Sequence, residues 1–215
     1  ALRHAAGVAT YAELAREVEE VARALAASGL RSGERVAWLG LNSAAQLAAL
    51  FACARLGAVL MPLNWRLTAL EHRALLEECP AALLVAEEPF AAACAEQHVS
   101  AAAVGNVARG PAPAGWTRWD EFVARGRGAS LPDAAGDGSA PVLLCWTSGS
   151  TARPKGVLLS ADALQANADA SVDFPAAYVE LFSKESGKSL GTYLVGPELN
   201  EQPIEVNGKT YDVAL

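Results

Sequence analysis

The 215 residues carry a formal net charge of −7 and a sequence pI near 5.0, and 52% of the side chains are apolar. That balance argues against a nucleic-acid-binding surface, and no basic cluster offsets it. The length suits one good-sized domain or one and a half, with enough apolar material for a packed core.

In chain order, the pattern predicts alternating helix and strand. Thr10 and Glu13 have capping-box spacing. Leu14, Val18, Val21 and Leu25 then recur at helical spacing until Gly29. Residues 35–41 read as a short buried strand, and Asn42-Ser43 can cap a helix that runs to Leu56 and stops at Gly57. A strand at 58–61, a loop at 62–67 and a helix at 68–78 follow, the helix capped by Thr68 with Glu71 three residues on. Residues 83–86 form a further strand. Residues 105–140 read as looser, with connectors at 110–115 and 134–138 around a short helix at 116–125. Trp116, Trp119 and Phe122 in that helix are expected to anchor it on the core rather than to form a binding stripe. The apolar run 142–146 is a buried strand, 156–159 is another, and Ser160 can cap a helix to about residue 171. Such alternation implies an α/β fold with a parallel sheet and helices on its faces.

Cys53, Cys79, Cys94 and Cys145 show no Cys-x-x-Cys pair, and they read as reduced, partly buried thiols of a reducing, cytoplasmic compartment. His4, His72 and His98 are isolated, so no metal site is expected. The longest apolar region, 44–63, is interrupted by Gln46, Arg55, Gly57 and Pro62 and is too short to span a bilayer. The chain opens Ala-Leu-Arg-His without an initiating methionine or a secretory signal, and is expected to be processed, trimmed or part of a longer protein.

The densest chemistry lies in Thr147-Ser148-Gly149-Ser150-Thr151-Ala152-Arg153-Pro154-Lys155-Gly156. Backbone N–H groups and hydroxyls can donate to phosphate oxygens there, and Lys155 adds a point charge. The glycines allow close backbone approach, and Pro154 stiffens the chain before Lys155. A Walker A loop does not fit, since Lys155 lies between Pro154 and Gly156. Gly187-Lys188-Ser189 has the Walker ending, but Phe182 occupies the upstream glycine position, and no Gly-x-Gly-x-x-Gly string occurs. The alternative reading is a Ser/Gly-rich surface turn that binds nothing.

This string resembles the phosphate-binding signature of the adenylate-forming (AMP-binding) superfamily, Thr-Ser-Gly-(Ser/Thr)-Thr-Gly-x-Pro-Lys-Gly, at every position but Ala152. Alanine there costs about 1 kcal/mol if the position needs a positive φ and nothing if it does not. Other pieces resemble the same family in the same order: Thr10 to Leu14, Gly33 to Ala37, Asn42-Ser43, Gly57-Ala58-Val59 and Pro62 to Thr68. The likeness covers about residues 8–172 and implies the N-terminal portion of an acyl-CoA synthetase, with a partial doubly wound parallel sheet. Ala161 stands where the family often has histidine, and no role passes to it.

The resemblance implies a two-step reaction. A small-molecule carboxylic acid attacks the α-phosphate of Mg-ATP, and CoA then displaces AMP. Thr147, Ser148, Ser150 and Thr151 would hold the β- and γ-phosphates. Gly149 and Gly156 would give backbone approach, and Lys155, the catalytic candidate, would balance charge as pyrophosphate develops. The family's adenine-binding segment, its Mg-binding Glu in a Tyr-Gly-x-Thr-Glu string, its ribose-binding Asp and its late catalytic lysine have no match after Gly156. Glu198 and Glu201 do not lie in such a string. The chain alone is therefore expected not to adenylate an acid. A sheet with an open edge is expected to favour self-association.

Composition changes near residue 173. Every arginine lies at or before Arg153, every lysine but Lys155 at or after Lys184, and beyond 173 alanine is confined to Ala176, Ala177 and Ala214. Residues 177–182 and 189–195 read as strands, and 204–206 and 209–213 flank Asn207-Gly208, a strong hairpin signal. Residues 1–173 are thus expected to form the synthetase-like portion and 174–215 a short β-rich tail of different origin. The tail is faintly similar to the extracytoplasmic β-domain of ResB-type cytochrome c assembly proteins, on Gly187 to Leu194 and Val206 to Tyr211. Two alternatives accompany the ligase reading: a non-catalytic module that weakly binds ATP or pyrophosphate, and a fusion whose tail has a structural role in cytochrome c assembly.

Overall fold

A computed structural model describes residues 2–4, 7–99, 105–132, 138–147, 155–173, 177–182, 189–195, 204–206 and 209–211. The chain divides into two compact units, Ala1–Ala161 and Asp162–Leu215.

The first unit opens with a small antiparallel pair, β1 (Leu2–His4) and β2 (Gly7–Ala9), and helix α1 (Tyr11–Ala27). The expected capping box is present: Glu13 N–H donates to Thr10 Oγ1 at 3.2 Å, and Thr10 N–H donates to Glu13 Oε2 at 2.7 Å. Then come β3 (Arg35–Leu39), α2 (Ala44–Leu56), β4 (Val59–Leu63), α3 (Ala69–Glu78), β5 (Leu83–Glu87), α4 (Phe90–Glu96), β6 (Gly105–Arg109), β7 (Thr117–Arg118), α5 (Trp119–Arg125), β8 (Pro141–Thr147) and β9 (Lys155–Ser160). Ser43 caps α2, and Thr68 with Glu71 closes a second capping box at α3.

Strands β3 to β9 form one seven-stranded sheet in the order β7-β6-β5-β3-β4-β8-β9. Every pairing is parallel except β8 with β9, which is antiparallel. The two-residue repeat of a strand sorts its apolar side chains between two cores. Val36 and Trp38 of β3 join Leu83 and Val85 of β5 in a core with Val21 and Leu25 of α1, Ala49 and Cys53 of α2 and Phe122 of α5. Ala37 and Leu39 turn the other way, with Met61, Leu84, Leu75 and Leu76 of α3 and Cys94 of α4. Helices α1, α2 and α5 therefore cover one face, and α3 and α4 the other. This is the doubly wound arrangement that the alternation predicts.

The sequence reading did not anticipate the β1–β2 pair or α4, and further differences lie in the middle of the chain. Strand β6 falls where a loose segment is expected. Its Gly105-Asn106 start is a poor strand former, but all five residues pair with β5, and neighbours in a sheet override local preference. β4 runs on through Pro62 to Leu63; proline is tolerated in a strand where its missing donor is not needed. Trp116 does not share the face of its partners. Trp119 packs edge-on against Trp38 at 5.7 Å and beside Phe122, whereas Trp116 packs on the other core. A two-residue strand, β7, separates them and breaks the helical spacing.

The second unit holds all but the first residue of α6 (Ala161–Asp173) and two antiparallel hairpins. β10 (Ala177–Phe182) pairs with β11 (Ser189–Val195), and β12 (Ile204–Val206) with β13 (Lys209–Tyr211). The strands fall where the sequence expects them, while the turn residues Asn207 and Gly208 lie outside the described residues. No helix among the described residues is long and apolar enough to cross a membrane.

Two tight features of the first unit are testable. Gly126, just after α5, lies so close to α1 that a Cβ there would come within 2.6 Å of Ala24 Cα. Backbone cannot yield as a flexible side chain does, so Gly126→Ala should lower stability by about 3 kcal/mol, read by urea denaturation. The second is His72, only 2% exposed, whose Nε2 lies 2.9 Å from the Asn64 carbonyl. A carbonyl only accepts, so Nε2 carries the proton and donates. Burial lowers the His72 pKa, opposed by the Asn64 bond and the charge of Glu71. The unfolded chain then binds the proton more readily, so this stability is complete above about pH 6.5 and declines as pH falls through the lower folded value. Between about pH 7.5 and about pH 5.5, His72→Gln should lose less stability than the wild type. Equal losses would remove His72 from the account.

Candidate phosphate-binding site

Because six strands run parallel, their C-terminal ends share one rim of the sheet. β9 runs the other way, so its first residue, Lys155, belongs to the same rim as Thr147, the last of β8. The two are paired across the hairpin, and Trp146 pairs with Gly156. The apolar run from Val142 to Trp146 makes β8 an inner strand, with Val142 and Leu144 buried. The string at 147–156, expected to bind phosphate, thus begins and ends on the paired ends of β8 and β9. Ser148, Gly149, Ser150 and Thr151 lie outside the described residues, as does Ala152. Lys155 and Gly156 are exposed.

Packing does not require glycine at 156, since a side-chain carbon there would find ordinary van der Waals contacts. A Cβ there would meet Leu144 Cδ2 at 3.4 Å and the Trp146 ring at 3.7 Å. The indole Nε1 of Trp146 is buried with no hydrogen-bond partner among the described residues. Burial raises the Cys145 thiol pKa, pushes Cys53 up to about 12 and Cys94 up to about 11, so these groups are poor nucleophiles.

The neighbouring strand β4 ends in a tightly held turn at residues 64–67. Leu67 N–H donates to the Asn64 carbonyl at 3.0 Å, and Arg66 N–H donates to Asn64 Oδ1 at 3.0 Å. The buried His72 adds its bond to the same carbonyl. Trp65 and Arg66 face solvent, with the guanidinium carbon 4.7 Å from the indole centroid.

A second group of polar residues sits farther along the rim. After β3 the chain leaves over one face, and after β5 over the other, so a crevice opens between these adjacent strands. It has a volume of about 920 Å³ and is lined by Ser43, Glu87, Glu88, Arg109, Arg118 and Trp119 among others. Arg109 Nη1 donates to Glu87 Oε1 at 2.6 Å and reaches Ser43 Oγ at 3.4 Å. Its guanidinium lies 5.7 Å from the Trp38 ring and 5.6 Å from that of Trp119. Sequence reasoning missed this cluster. Its members stand on separate strand ends, and no local spacing links Ser43, Glu87 and Arg109. Among the described residues, no three or more His, Cys, Asp or Glu side chains gather as metal ligands.

Residues 1–184 match the family described as AMP-binding enzyme. The chain is 46% identical over 164 residues to the indoleacetate–CoA ligase of Aromatoleum aromaticum, covering 76% of this chain and 32% of that protein. It is 40% identical over 160 residues to a feruloyl-CoA synthase from an Amycolatopsis species, covering 74% and 30% respectively. Among solved structures, ATP-bound MatB from Rhodopseudomonas palustris is similar with a TM-score of 0.62 and 31% identity, over 81% of this chain and 34% of that one. The chain thus spans about a third of the length of the curated relatives it matches. With the phosphate-binding signature on a hairpin at the rim of a doubly wound sheet, the chain belongs to the AMP-binding enzyme family.

Proposed function

We propose that these residues form the N-terminal, phosphate-binding part of an ATP-dependent acid–CoA ligase. The observation that carries the reading is the β8–β9 hairpin, which pairs Thr147 with Lys155 at the two ends of the family's signature. In this reading Thr147, Ser148, Ser150 and Thr151 donate to the β- and γ-phosphates of ATP. Gly149 and Gly156 let the backbone approach, and Lys155 offsets negative charge as pyrophosphate leaves. The substrate class is a small carboxylic acid, with aryl acids favoured by the indoleacetate and feruloyl relatives. CoA is the acceptor in the whole ligase. Mg²⁺ accompanies ATP in the reaction, and among the described residues no cluster of three or more His, Cys, Asp or Glu side chains is placed to hold it.

The compartment in this reading is the cytoplasm, as the reduced thiols imply. The boundary at residue 173 is part of the same proposal, with 1–173 as the ligase portion and 174–215 as the hairpin tail. Kinship of the tail with ResB-type proteins rests on its sequence strings, and two antiparallel hairpins are compatible with it.

Two measurements test the reading. The 215-residue chain should bind Mg-ATP or pyrophosphate with millimolar affinity, about −4 kcal/mol, and Lys155→Ala should weaken this about tenfold in calorimetry. Acid-dependent pyrophosphate exchange should be absent, since the string that supplies the family's magnesium-binding glutamate is not in these residues. Equal heats for wild type and variant would sink the phosphate assignment, and measurable exchange would overturn the expectation of inactivity. Self-association is expected through β9, the last strand of the sheet, where Val157 is 42% and Leu158 56% exposed. A monomer at every concentration in sedimentation would remove that expectation.

A further inference from the structure

We propose that Glu87 is a clamp that locks the loop leaving β3 to the end of β6, and that residue 40 is glycine to leave room for it. The inference rests on the geometry of the first unit alone and is independent of the phosphate-binding reading.

Register brings the parts together. β3 and β5 are parallel neighbours, with Leu39 level with Ala86. One residue further along, Gly40 comes level with Glu87, the last residue of β5. On its other side Glu87 is paired with Arg109, the last residue of β6. The carboxylate thus stands between two neighbouring strand exits.

The donors around it decide the chemistry. Leu41 N–H donates to Glu87 Oε2 at 3.2 Å, Ser43 Oγ donates to Oε1 at 3.2 Å, and Arg109 Nη1 donates to Oε1 at 2.6 Å. An ionised carboxylate accepts at both oxygens and donates nothing, so it can take all three. Ser43 gives its proton to Glu87 and accepts from Gln46 N–H at 3.2 Å, which caps α2. Arg109 in turn has its guanidinium beside the rings of Trp38 and Trp119, and Trp119 is the first residue of α5. Glu87 therefore ties the start of α2 to the start of α5 across three strands. The side chains of this pair are 29% and 17% exposed, against 57% and 66% for Arg118 and Asp120. Water and salt screen it correspondingly less.

Gly40 supplies the second observation. A Cβ there would lie 2.6 Å from both Cδ and Oε2 of Glu87. Gly40 is not among the glycines with positive φ, so its backbone would accept alanine, and the conflict is with the Glu87 side chain. A flexible side chain can swing away where backbone cannot. Gly40→Ala is therefore expected to act by pushing Glu87 off its three donors.

The test is amide hydrogen exchange on the 215-residue chain, with circular dichroism confirming the fold of each variant. Glu87→Gln keeps the size but sets an NH₂ group among converging donors. Exchange at Leu41 and Gln46 should rise about tenfold, while Ala37 and Trp38 within β3 stay as in the wild type. Gly40→Ala should give the same local loss. In a Glu87→Ala background, adding Gly40→Ala should change exchange by less than about twofold, because the side chain it displaces is gone. Unchanged exchange at Leu41 in Glu87→Gln overturns the clamp, and so does a loss spread equally to Ala37 and Trp38. Equal losses from Gly40→Ala with and without Glu87 overturn the reason given for the glycine. The Glu87→Gln comparison decides the clamp even where the double variant does not fold.

Discussion

Everything in the first unit depends on β3 being bonded along both edges and covered on both faces. Val36 and Trp38 point into one core and Ala37 and Leu39 into the other, and all four are essentially inaccessible to water. A strand in that position cannot tolerate polar side chains, and its neighbours β4 and β5 must run parallel to it through helical crossovers. Once that is imposed, the strand ends are no longer free to scatter. The C-terminal ends of β3 to β8 fall on one rim, and each loop that leaves this rim brings its polar residues to a common edge. The candidate site is a consequence of this geometry more than of any single residue.

The rim is not uniform in charge. At the β5–β6–β7 end, Arg109 is paired with Glu87 and Arg118 with Asp120, so cation and anion cancel locally. Arg109 is also lodged between Trp38 and Trp119, which makes it part of the packing that holds α5 to the sheet. Truncating such a residue removes contact area as well as charge. At the other end, β8 and β9 carry the two ends of the string that resembles the family's phosphate-binding signature.

Much of this was legible in the sequence where local rules decide. Thr10 with Glu13 and Thr68 with Glu71 mark their helix starts because a capping box is satisfied within four residues. The motif at Thr147 identified the family because a polyphosphate loop demands a fixed order of residue types. What remained hidden depends on long-range pairing. β6 is a strand because β5 offers it a free edge, not because Gly105 and Asn106 favour extension. The Glu87–Arg109 pair joins residues 22 apart in sequence across two strand ends. His72 looked like an isolated histidine, and its tie to Asn64 emerges only when α3 folds back on the turn.

In the proposed reading the signature string holds phosphates but cannot by itself hold a nucleotide tightly. Each charge-assisted bond contributes roughly 1.5–3 kcal/mol, and several kcal/mol are lost when a small molecule is immobilised. The balance leaves millimolar binding, about −4 kcal/mol. An adenylating enzyme must add contacts to the base and ribose, then align a carboxylate against the α-phosphate. Within these 215 residues the strings that supply those contacts in the family are not found. In that reading the phosphate end of the site starts and finishes on the paired ends of β8 and β9. Selectivity for adenine and for the acid has to come from elements that dock against this rim.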